Sequence, residues 1–179
     1  MTGKRTIERL WRDAVAAGRQ TPAYLVQDGD VWRELSWTEA AERVEGYANG
    51  LLSLGVGKGD AFAILGTSRV EWALFDFALG SIGAIAAPIY ANSSTKDTGY
   101  ILDHSESIGV LCEDDVQRAK VEEVRGGIPR LRQVLTFADL DDLAARGRAS
   151  DTSPPALLVR SMPGNVDRIR MAIVTGALS

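Results

Sequence analysis

The sequence predicts an α/β fold, a layered and mostly parallel sheet with flanking helices, preceded by an N-terminal β-hairpin. Three observations carry that prediction. Strand-like runs at Ala61 to Leu65, Ala84 to Ala87, Ile108 to Cys112 and Arg132 to Phe137 alternate with stretches of helical period. The segment Glu71 to Ser94 passes from a largely apolar helix through Gly83 to a short apolar run that stops at Pro88, which reads as the centre of a layer. Ala23 to Gln27 and Val31 to Leu35 flank Asp28-Gly29-Asp30, a hairpin signal because glycine accepts positive φ at little cost.

The elements follow in order. Ile7, Leu10, Trp11, Ala14 and Val15 share one face of a first helix, which Gly18 ends. After the hairpin, Ser36 and Glu39 form a capping box. They open a helix whose Ala40, Ala41, Val44, Tyr47, Ala48, Leu51 and Leu52 face one way and which Gly55 closes. Ser68 and Glu71 repeat the S-x-x-E spacing before Trp72 to Ile82, where Asp76 is the polar interruption, so this helix needs cover on more than one side. Ser94 caps a helix over Thr95 to His104 with Tyr100 and Ile101 on its inner side. Val116 to Val124 forms another helix, ended by Gly126-Gly127, and Ala138 to Arg146 the last.

The pattern fades near Gly147. Residues 1–148 read as one organised portion and 149–179 as an irregular tail with Pro154-Pro155 and Pro163-Gly164. Weak strand signals in the tail fall at Leu157 to Val159 and Met171 to Val174. No repeat of fixed period is visible.

Composition narrows the classes. The 179 residues suit one domain or a piece of a larger one, and 45% hydrophobic with 25% charged residues is ordinary for a globular protein. A net charge of −4 argues against a nucleic-acid partner. The uncharged run from Phe77 to Tyr90 is broken by Gly80, Gly83 and Pro88 and falls short of the ~20 apolar residues of a membrane span. Cys112 is the only cysteine, so no internal disulfide is possible, and a cytoplasmic location is expected. The opening MTGKRTIERLW lacks the apolar core of a signal peptide.

No constellation of residues points to catalysis. Gly55-x-Gly57-x-Gly59 leaves a helix and enters a strand, whereas a phosphate loop must leave a strand and open a helix, so a plain turn is expected. His104 is the only histidine and sits near a helix end, where a cation suits the dipole. With Cys112 it cannot supply the three or four ligands of a zinc site unless carboxylates do most of the work. Glu113, Asp114, Asp115, Asp139, Asp141 and Asp142 cluster at helix starts, where carboxylates are expected on dipole grounds. On residue chemistry alone the catalytic, cofactor-binding and metal residues are none.

The run LSWTEAAERVEGYANGLLSLGVGKGDAFAIL, followed by EWALFDFALGSIGAIAAPIYANSS, resembles the N-terminal region of AMP-forming acyl-CoA synthetases, in the adenylate-forming superfamily. The YANSS ending together with YILDHSES is most similar to long-chain fatty-acid–CoA ligases. The resemblance covers roughly residues 6–148 and implies an incomplete N-terminal subdomain of the adenylate-forming fold. It also implies a parent activity in which ATP, with magnesium, activates a fatty acid as its adenylate before the acyl group passes to coenzyme A. That chemistry needs backbone donors and a lysine on the triphosphate, a carboxylate placing the metal, and a mobile cap with a second lysine. The family's Ser/Thr/Gly-rich loop ending in Pro-Lys-Gly lies downstream of the matched region and does not occur in these 179 residues. No ATP-binding or catalytic residue is therefore carried over, and none of these cofactors is expected to bind this chain alone. Pro88, Ile89 and Tyr90, just past a strand end, would flank the acyl pocket.

The resemblance thus implies an inactive fragment, shortened or frameshifted between Gly147 and Asp151, with apolar surface left open to self-association. The alternatives are a non-enzymatic interaction protein built on the same scaffold and an unrelated flavodoxin-like binding domain.

Overall fold

The computed structural model describes residues 6–149. The expectations for the tail beyond them lie outside the described residues. The chain divides into two compact units, one running to Gly57 and including Ser68–Gly83 and the segment from Leu140, the other Lys58–Thr67 and Ala84–Asp139.

The first unit is helical with one hairpin. Helix α1 (Ile7–Ala16) is capped by Thr6, whose hydroxyl accepts from the Arg9 amide at 3.2 Å. Its Trp11 is buried and stacks on Phe77 with ring centroids 4.4 Å apart. Strands β1 (Tyr24–Asp28) and β2 (Val31–Leu35) pair antiparallel with Asp28 opposite Val31, leaving a two-residue turn in which Gly29 has φ +62°. Helix α2 (Trp37–Ser53) opens with the expected capping box. The Glu39 amide donates to the Ser36 hydroxyl at 3.2 Å, and the Ser36 amide donates to the Glu39 carboxylate at 2.9 Å. The Ser36 amide and the Ser36 hydroxyl, which also donates to that carboxylate at 2.7 Å, hold the Glu39 carboxyl below its ordinary pKa.

Helix α3 (Val70–Ser81) begins differently from expectation. Its N-cap is Arg69, with no side-chain capping bond, and Glu71 bonds Arg69 at 3.2 Å rather than reaching back to Ser68. The second S-x-x-E match is not a capping box, because the helix starts one residue later and moves Glu71 out of the position that can close it. The demand for cover holds: every α3 position except Gly80 is buried or half-buried.

The second unit is a four-stranded, wholly parallel sheet in the order β4-β3-β5-β6. The strands are β3 (Ala61–Gly66), β4 (Ile85–Tyr90), β5 (Ser107–Cys112) and β6 (Gln133–Thr136). On one face lie helices α4 (Thr95–His104) and α5 (Asp115–Arg125), where Ala63, Leu65, Ala87, Ile89, Leu102, Val110, Cys112 and Val121 form the core. Each fully buried large side chain there contributes about 1.5–3 kcal/mol.

Two readings of β4 change. The strand does not stop at Pro88 but continues to Tyr90, with Pro88 opposite Ile64. Nor is it the centre of the layer, for among the described residues it is an edge strand. The Ile85 amide donates to the Asp60 carbonyl at 2.8 Å, so Ala86, Pro88 and Tyr90 turn their nitrogens away from β3. The donor that proline lacks therefore falls on the free edge and breaks no ladder bond.

Tyr100 also departs from expectation. It is 57% exposed and stacks on His104 at 5.4 Å, while Thr98 and Leu102 are the fully buried positions of α4 and Ile101 packs against the core. After β6 the Asp139 carboxylate accepts from the Thr136 amide and hydroxyl at 2.7 and 2.9 Å, and a single turn (Phe137–Asp139) leads into α6 (Leu140–Ala149).

Candidate functional site

Ligands of open parallel sheets gather outside the carboxyl ends of the strands. Here that edge is made by Thr67 after β3, Ala91–Ser94 after β4, and Glu113-Asp114 after β5. The Glu113 amide donates to the Leu65 carbonyl at 2.9 Å and carries the β3–β5 ladder past the strand end. Gly66 makes the close approach feasible, because a Cβ there would stand 2.8 Å from the Glu113 Cβ. The Glu113 carboxylate then accepts from the Thr67 amide at 2.8 Å and from its hydroxyl at 2.7 Å.

The β4 exit is held from α5. The Lys120 ammonium, half-buried, donates to the carbonyls of Ala91 and Ser93, both at 2.9 Å. The Ser93 amide closes the turn on the Tyr90 carbonyl at 3.0 Å. Ser94 caps α4, accepting from the Asp97 amide at 3.1 Å, and Asp114 caps α5, accepting from the Gln117 amide at 2.9 Å.

Pro88, Ile89 and Tyr90 do not share a surface. Ile89 is 2% exposed and points into the core, while Pro88 and Tyr90 lie on the other face, with Tyr90 80% exposed. His104 and Cys112 are also kept apart, one ahead of the amino end of β5 and the other at its carboxyl end. Burial pushes the Cys112 thiol up to about 12, so it is not a nucleophile at neutral pH. Of the six acidic residues, Asp114 caps a helix, Asp115, Asp141 and Asp142 lie in first turns, and Glu113 and Asp139 hold Thr67 and Thr136.

Gly55, Gly57 and Gly59 lie between α2 and β3, the wrong order for a phosphate cradle. Among the described residues no group of three His, Cys, Asp or Glu side chains is placed to hold a metal. A groove of about 250 Å³ beside α2 is lined by Glu39, Glu42, Arg43, Tyr47, Asp141 and Arg148. Another of about 350 Å³ beside α4 is lined by Lys96, Tyr100, Asp103, Val124 and Ile128. Neither is lined by the loops of the carboxyl edge.

Sequence reasoning did not find Lys120 or the pairing of Glu113 with Thr67. Lys120 stands among Gln117, Arg118, Glu122 and Glu123, a spacing that reads as a solvated helix face. Only the fold brings its ammonium to carbonyls 29 and 27 residues earlier.

A family model described as an AMP-binding enzyme matches residues 11–168. The long-chain-fatty-acid–CoA ligase FadD15 of Mycobacterium tuberculosis is 37% identical over 142 residues, covering 74% of this chain and 24% of that protein. A long-chain-fatty-acid–CoA ligase of Thermus thermophilus is 33% identical over 138 residues, covering 77% of this chain and 25% of the other. The chain thus spans about a quarter of the length of these relatives. Among solved structures, a fatty acyl CoA synthetase of Mycobacterium tuberculosis superposes with a TM-score of 0.70 at 22% identity, over 88% of this chain and 30% of that one. The N-terminal subdomain of Klebsiella oxytoca NpsA, in complex with 3-hydroxyanthranilyl-AMSN, gives 0.62 at 24% identity, over 78% and 33%. At those identities the structural likeness shows the fold alone. The chain belongs to the AMP-binding enzyme family, among relatives named long-chain-fatty-acid–CoA ligases, and its described residues carry the fold of part of the N-terminal subdomain of adenylate-forming enzymes.

Proposed function

We propose that these residues are the scaffold portion of an ATP-dependent long-chain fatty-acid–CoA ligase and that the 179-residue chain does not form an acyl-adenylate by itself. The observation that carries this reading is the sequence match to about a quarter of each ligase, within which no Ser/Thr/Gly-rich loop ending in Pro-Lys-Gly occurs. ATP, magnesium and CoA are then gripped by parts of a ligase that these residues do not contain. The chain's own share is to set the carboxyl edge of its sheet, with Pro88 and Tyr90 flanking the fatty acid and Ile89 anchoring the strand beneath them. ATP–pyrophosphate exchange with palmitate on the purified chain tests the reading. No exchange above the protein-free rate is expected, and exchange that scales with the chain overturns it.

The chain is also proposed to self-associate. In the described sheet, β4 and β6 are edges, and Leu25, Val31 and Trp32 of the hairpin are 59%, 61% and 61% exposed. Light scattering should give a mass above that of one chain, rising with concentration. A monodisperse monomer that binds no hydrophobic dye contradicts this. No helix among the described residues is long and apolar enough to cross a membrane, and a cytoplasmic location is the reading that the lone cysteine supports.

A further inference from the structure

One βα unit, β5 with α5, supplies both charged side chains that hold the exit loops of β3 and β4. Glu113, directly after β5, takes two hydrogen bonds from Thr67, and Lys120, in the second turn of α5, gives one each to Ala91 and Ser93. An ammonium has donors and no acceptor, so two carbonyls held at once fix both its own position and that of the turn it binds. Lys120 spends its charge on the backbone of the segment that directly follows Tyr90. The same segment carries the turn-closing bond from the Ser93 amide to the Tyr90 carbonyl and the Ser94 cap of α4.

Resting on the reading that Pro88 and Tyr90 flank the acyl chain, we infer that Lys120 is a positioning residue for that flank. It touches no substrate. It acts through the Tyr90–Ser94 turn, whose carbonyls it clasps, and so decides where the exposed Tyr90 ring stands at the end of an edge strand. Without the clasp that turn keeps its backbone closure from Ser93 to Tyr90, and the ring is free to leave the strand end.

The test photolyses the whole 179-residue chain with a palmitate analogue carrying a diazirine on its alkyl chain. Labelled residues are mapped by mass spectrometry, and amide exchange over Ala91–Ser94 is followed in parallel. Wild type should label Pro88 and Tyr90. Lys120→Met should reduce that label by about tenfold and speed exchange at Ser93 to a similar extent, the scale set by losing hydrogen bonds to a charged donor. Lys120→Arg, which keeps charge and donors, should restore both, and Lys120→Gln, a milder change, should fall between. An undiminished label in Lys120→Met overturns the inference while leaving the acyl-flank reading intact. Absence of label at Pro88 and Tyr90 in the folded wild type overturns the flank reading and the inference with it. Exchange that accelerates equally throughout β3 and β5 in every Lys120 variant also overturns it, because that marks a general loss of stability.

Discussion

Gly147 of α6 lies so close to Gly50 of α2 that a methyl group on Gly147 would stand 2.5 Å from the Gly50 amide nitrogen and 2.7 Å from the Gly46 carbonyl oxygen. The two helices therefore meet backbone to backbone, with Ala144 set against Gly46. Gly147→Ala should cost about 1–3 kcal/mol despite the better helix propensity of alanine, since the backbone atoms it meets cannot turn aside. Gly80→Ala is the opposing case: it is helical and exposed with nothing within 4 Å, and should gain up to about 1 kcal/mol. Urea unfolding of both variants measures the pair. Equal effects would contradict this packing.

The two serines of the S-x-x-E pattern should behave differently. Ser36→Ala removes a hydroxyl that accepts the Glu39 amide and should cost about 1 kcal/mol. Ser68→Ala should change stability by less than about 0.5 kcal/mol, because Arg69 is the N-cap of α3. Thermal unfolding of the two variants side by side reads the difference.

How much of this fold was legible follows the same physical line. Helical period, alternation and glycine placement are local properties, so the order of elements, the hairpin at Gly29 and the cap at Ser36 could be read directly. What failed depended on neighbours. The Ser68 box failed because a cap also requires the helix to start at the right residue, and that is settled by where β3 releases the chain. Pro88 ended its strand only on the assumption of a central position, whereas at an edge its missing donor breaks nothing. Tyr100 was assigned inward on apolar character, yet it lies outside, stacked on His104. At the candidate site, Pro88 and Tyr90 were expected just past a strand end and lie instead in the last three residues of β4, while the Lys120 and Glu113 clasps span 27 to 46 residues and leave no local trace.

Asp76 interrupts the apolar run of α3, and burial pushes its carboxyl above the ordinary value. A raised native pKa means that the folded state binds the proton more tightly than the unfolded chain. The penalty for ionisation is absent below the unfolded pKa, grows as pH rises between the two values, and is complete above the native one. Asp76→Asn should therefore be more stable than wild type at neutral pH, with the gap closing in acid. Unfolding measured across that range checks the sign, and a variant less stable at neutral pH contradicts it.

Glu113→Ala should free the Thr67 amide and hydroxyl together and cost about 1–3 kcal/mol. Thr67 should show the largest gain in amide exchange rate, ahead of residues in the middle of β3. Protection at Thr67 equal to wild type would mean that the clasp holds nothing.

The central claim is that scaffold is present here while the groups that grip nucleotide are not. Titration of the folded 179-residue chain with magnesium ATP in a calorimeter tests it most directly. No saturable heat is predicted up to millimolar ATP, near the weak end of specific affinities. A saturable isotherm in the micromolar range would show that these residues hold nucleotide on their own and would contradict the account.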